Sequence, residues 1–100
     1  MAQFKCYECS SDVKTGQKFT FTKKGSVHFD CFVSAKRKSI DPEKAEMLRT
    51  LSLILDSELT HLLNLLRINP EDDASKEIEK TKYKEVEKAA GETTRRIDEL

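Results

Sequence analysis

The chain has no tryptophan, three glycines, two prolines, two histidines and no cysteine after Cys31. Each shortage excludes something. The glycines stand alone, so no glycine-rich loop is available to cradle a phosphate. The second histidine, His61, falls among Ser57, Thr60 and Asn64 on the polar side of a helical pattern and reads as a solvated side chain. General acid–base chemistry therefore has little to draw on, and the chain reads as a non-enzyme. No stretch is apolar and long enough to span a bilayer. The most apolar one, residues 51–68, is interrupted by Asp56, Glu58, Asn64 and Arg67. No apolar signal region opens the sequence, which places the expected protein in the cytoplasm, where thiols stay reduced.

Net charge is lacking too, since 18 basic residues balance 18 acidic ones. The balance hides an asymmetry. Residues 1–40 hold eight basic side chains against three acidic ones, and residues 41–100 hold ten against fifteen, so the front is +5 and the back −5. A basic front end keeps nucleic acid among the possible partners.

What is present is a ligand pattern. Cys6 and Cys9 stand two residues apart, eighteen residues follow, and His28 and Cys31 repeat the two-residue gap. All three cysteines fall in this pattern. Thiolate sulfur and imidazole nitrogen in two such pairs form a four-ligand zinc spacing. Four protein ligands leave no open position for water or substrate, so one structural Zn²⁺ per chain is expected. Three thiolates with one Zn²⁺ add −1, which brings the loaded front to about +4.

The front reads as a knuckle at Cys6–Cys9, a polar turn with Gly16, and a strand Lys18–Lys23 whose Phe19 and Phe21 alternate with Thr20 and Thr22. The alternation predicts Phe19 and Phe21 inward and the threonines outward. Lys24-Gly25 turns the chain back into Ser26–His28. From Phe29 the spacing becomes helical, with Cys31 in the first turn and Lys36-Arg37-Lys38 in the last, where they complement the helix dipole. The candidate core of this lobe is Phe4, Tyr7, Phe19, Phe21, Val27, Phe29 and Phe32, too small to fold without metal. Knuckle, hairpin and ligand-bearing helix resemble a treble-clef zinc finger. Phe4–Cys9 followed by Gly25–Phe32 is similar to the first zinc half of a LIM domain, which implies a role in protein binding. The second zinc half of such a domain has no counterpart here. The Gly16–Gly25 run also resembles small treble-clef ribosomal proteins. Together with the helical remainder, the chain is similar to a family of small uncharacterised archaeal zinc proteins.

Asp41-Pro42-Glu43 is a helix start, with Asp41 as the N-cap candidate. Leu48, Leu51, Leu55, Leu59, Leu62 and Leu66 then step by a mean of 3.6 residues, and Ile54, Leu63 and Leu65 widen the stripe. Glu58 lies inside it: either its carboxylate bends out to solvent, or it fixes how helices pair and then needs a partner such as Lys82 or a group on another chain. Asn69-Pro70 ends this helix, and Pro70 can open the next. Residues 71–100 carry a thin stripe of Tyr83, Val86, Ala90, Ile97 and Leu100, with Thr93 within it.

The expected class is α+β: a treble-clef lobe over residues 1–40, then helices at about 42–68 and 71–99 forming a hairpin or a dimeric bundle. The leading functional reading is a protein-interaction or assembly module. It would be homodimeric through Leu48, Leu51, Leu55, Glu58, Leu59, Leu62 and Leu66, and another protein is an expected partner. The alternative is a nucleic-acid-binding protein that uses Lys23, Lys24, Lys36, Arg37 and Lys38. No membrane partner is expected.

Overall fold

The computed structural model describes residues 4–100, so residues 1–3 of the expected zinc lobe lie outside the described residues. Two antiparallel hairpins come first. β1 (Phe4–Lys5) pairs with β2 (Asp12–Val13), and β3 (Phe19–Thr22) pairs with β4 (Gly25–His28). Gly25 turns β3 into β4 at φ +121°, a conformation that side chains rarely adopt. Three helices follow: α1 (Phe29–Ser39), α2 (Ala45–Ile68) and α3 (Asp73–Asp98). The two long helices pack together as a hairpin, and the α+β class holds. Among the described residues no helix is long and apolar enough to cross a membrane.

One buried cluster runs through lobe and helices alike: Cys6, Val27 and Phe32 meet Leu48, Leu55, Leu59, Ala90 and Ile97. The lobe is tied to the hairpin by polar contacts as well. Lys18 pairs with Asp56 on α2, and Lys36 Nζ donates to the Asp98 carbonyl at 2.8 Å.

Several local expectations are corrected. The faces of β3 are reversed. Thr20 is buried and Phe21 is 52% exposed, because the register sets Thr20 opposite buried Val27 on the side facing the helices. Burying Thr20 is tolerable because its hydroxyl meets that of Thr94 at 2.7 Å. Phe19 and Phe21 instead pack with Phe4, at centroid distances of 5.2–6.0 Å. Phe4 is likewise exposed rather than core. Asp41 makes no side-chain cap, and the chain enters α2 through a 3₁₀ turn, Pro42–Lys44. Asn69 ends α2 in the left-handed region at φ 41°. The next helix opens at Asp73 and not at Pro70, with Asp72 as its cap: Asp72 Oδ1 accepts from the Ser75 N–H at 2.6 Å.

The leucine stripe is divided. Leu48, Leu55, Leu59 and Leu65 are buried, Leu51 and Leu62 are half-buried, and Leu66 is 55% exposed. Glu58 Oε1 is buried with no hydrogen-bond partner among the described residues. Lys82 faces Glu85 one turn on, at 3.1 Å.

Candidate metal centre

Three separate pieces of chain bring the ligands together. The knuckle closes on itself: the Cys6 N–H donates to the Ser11 carbonyl at 2.9 Å and the Ser10 N–H to the Cys6 carbonyl at 2.8 Å. Ser10 makes the bend at φ 64°. β4 supplies His28 at its end, and that residue is also the N-cap of α1. Cys31 sits in the first turn of α1, where the positive end of the helix favours a thiolate. The pieces are joined by the Tyr7 N–H donating to the Ser26 carbonyl at 3.1 Å and Ser26 Oγ donating to the Lys5 carbonyl at 2.6 Å.

One ligand atom from each of Cys6, Cys9, His28 and Cys31 lies within 4.8 Å of all the others. His28 Nδ1 is 3.4 Å from Cys9 Sγ and 3.9 Å from Cys31 Sγ. Metal–sulfur and metal–nitrogen lengths of about 2.3 and 2.0–2.1 Å in a tetrahedron put sulfur and nitrogen about 3.6 Å apart, so these spacings bracket it. The four side chains are close enough to hold one metal ion, and the donor set is consistent with zinc.

The electrostatics fit a metal-binding thiol set. Burial raises the Cys6 thiol, but the backbone N–H groups of Cys9, His28 and Glu8 outweigh it and bring it down to about 6. The Ser11 N–H lowers Cys9. Burial, together with the sulfurs of Cys6 and Cys9, pushes Cys31 up to about 12. Without a cation, three thiolates crowd one another, and the third proton is held. A divalent ion at the centre reverses that preference, since a coordinating thiol is deprotonated. Burial works against a charged His28, but the neighbouring thiol groups of Cys9 and Cys6 outweigh it and raise its pKa.

One residue of the site carries no signal in the ligand spacing. Gln17 Oε1 lies 2.9 Å from His28 Nε2, and it also accepts the Lys14 N–H at 2.8 Å. If Nδ1 takes the metal, Nε2 bears the proton and donates to Gln17, which sets both tautomer and ring orientation. Gly16, at φ +91°, turns the loop that delivers Gln17.

The remaining candidates are scattered. Lys23 and Lys24 stand at the β3–β4 turn, with Lys24 Nζ 5.8 Å from the Tyr7 ring centre. Arg37 and Lys38 are exposed at the end of α1, whereas Lys36 is engaged with the end of α3. A groove of about 230 Å³ lies between β3 and the helical hairpin, walled by Phe19, Phe21, Leu62, Leu66 and Tyr83 among others.

A family model described as uncharacterized protein conserved in archaea (DUF2175) matches residues 2–99. No curated protein and no solved structure matches the chain.

Proposed function

The chain belongs to this archaeal DUF2175 family, and from that premise we propose that it is a non-enzymatic, zinc-stabilised protein-interaction module. In this reading the knuckle, hairpin and α1 form a LIM-like treble clef around one structural Zn²⁺, and α2 presents an apolar face for assembly, first of all with a second copy. The observation that carries it is the apolar surface left on α2 once α3 and the lobe have packed. Leu66 and Ile68 near its C-terminal end are exposed, and Leu53 and Ile54 are exposed at other points around the helix. The metal's part is to hold the lobe against α2, because residues 4–39 have little core of their own. A nucleic-acid role is less well supported, since Lys36 is used internally and the exposed aromatics border a leucine-lined groove.

Native mass spectrometry before and after zinc chelation tests this. The reading expects one zinc per chain, an assembled species, and loss of both on chelation. A zinc-free protein, or one that assembles neither with itself nor with any protein captured from its own cells, contradicts it.

A further inference from the structure

The groove between β3 and the helical hairpin is an apolar site with one unanswered charge. At about 230 Å³ it is roomier than the cavity of roughly 150 Å³ that holds a benzene ring in an engineered protein. Leu59, Leu62, Leu63 and Leu66 of α2 form one wall. Phe19 and Phe21 form another, with ring centres 5.5 Å apart and planes at 76°. Phe21 is 52% exposed, so its ring is open to anything that enters. Tyr83 of α3 adds a third aromatic ring to the lining.

Two charged side chains line the groove, Lys18 and Glu87. Lys18 is neutralised by Asp56. Glu87 has no ion-pair partner among the described residues. A neighbouring shallow cleft, which Glu87 also lines, holds Lys76, Lys80 and Lys84 beside Glu79, but none of these lysines pairs with Glu87. Glu87 stands one turn beyond Tyr83 on α3. Its charge is felt at the phenol: burial first, and then that carboxylate, raise the Tyr83 hydroxyl above its ordinary range. Tyr83 therefore keeps its proton and adds no charge of its own.

Gly91 keeps this corner open. It lies in the interior of α3, one turn from Glu87 on the same helix face, and lines the groove. Gly16 and Gly25 have positive φ and Gly91 does not, so no turn requires a glycine here. Glycine inside a helix is costlier than alanine. A Cβ at Gly91 would meet nothing within 4 Å. The missing side chain leaves free space beside the carboxylate.

We propose that this groove binds a small organic cation, an amine or quaternary ammonium on an apolar or aromatic body. The leucines and rings take the body out of water. Aromatic faces attract a cation within about 6 Å of the ring centre, and Glu87 supplies the opposite charge. A neutral ligand leaves Glu87 unanswered, and an anion is repelled by it. The volume is that of one small molecule, not of a partner's helix. The site stands apart from the four metal ligands and does not depend on assembly.

Nuclear magnetic resonance of the full, zinc-loaded chain tests this. The probe is benzyltrimethylammonium, with phenylacetate as an anion and benzyl alcohol as a neutral molecule carrying the same ring. The cation should shift the methyl signals of Leu62, Leu63 and Leu66 saturably, and the other two should bind at least about tenfold more weakly. Glu87→Gln should weaken the cation about tenfold and leave benzyl alcohol unchanged. Glu87 is exposed and unpaired, so this variant keeps the fold. Gly91→Leu should abolish binding by filling the groove, while circular dichroism shows α3 at least as helical as before. Absence of a saturable shift overturns the proposal. Equal binding of phenylacetate or benzyl alcohol, or a Glu87→Gln protein that holds the cation as tightly as wild type, overturns the choice of a cation. Binding that survives Gly91→Leu in a folded protein overturns the location.

Discussion

Gln17 and the Thr20–Thr94 pair show how single side chains hold this molecule together. Gln17 sits behind His28 and orients it. Partners of this kind typically matter by about 10–100-fold in metal affinity. Gln17→Ala should therefore weaken zinc binding by about that factor in a competition titration with a chromophoric chelator, while the fold at saturating zinc is unchanged. Unaltered affinity would show that His28 is held by the chain alone. In the buried threonine pair, Thr94 Oγ1 donates to the Ala90 carbonyl at 2.8 Å, so its single hydrogen is used and Thr20 must be the donor between them. Thr94→Val strands that donor and should destabilise by about 1–3 kcal/mol. Adding Thr20→Val should recover most of the loss in denaturant titrations, because the donor is gone as well. Glu58 raises the opposite question. Its Oε1 is desolvated without a partner among the described residues, so Glu58→Met should raise the melting temperature by a few degrees. A fall would mean that the assembled protein supplies Glu58 with a partner.

At the scale of elements, the start of α3 depends on one carboxylate. The Ser75 hydroxyl and N–H both donate to Asp72 and hold its acid below the ordinary 3.8. A depressed folded value means that the cap stabilises above the ordinary value and is lost as pH falls through the lowered one. Carbon chemical shifts of residues 73–76 should report helix at neutral pH and fray in acid. Asp72→Ala should fray at every pH, and an identical pH response in that variant would contradict the capping role. The helices were legible from residue spacing because a 3.6-residue period and an Asn-Pro stop are local signals. The faces of β3 were not. Alternation says that Phe19-Thr20-Phe21-Thr22 has two faces, but which face turns inward depends on Val27 across the strand pair and on Thr94, seventy-four residues away. The cap of α3 was missed because Pro70 offered a competing start two residues earlier. The ligand set was readable since its chemistry lies in residue type and spacing. Gln17 was not, because a second support for a histidine has no fixed offset in sequence.

For the whole molecule, the decisive feature is that metal lobe and helices share one core. Val27 and Phe32 from the lobe pack into the same cluster as Leu55 and Ile97. Loss of metal should thus be felt along the helical hairpin. The role given to the lobe depends on Cys6, Cys9, His28 and Cys31 holding zinc. X-ray absorption at the zinc edge of the purified protein asks this directly. The account predicts one zinc per chain with three sulfurs at about 2.3 Å and one nitrogen at about 2.0–2.1 Å. A protein without zinc, or zinc surrounded by oxygen and nitrogen with fewer than three sulfurs, would contradict it.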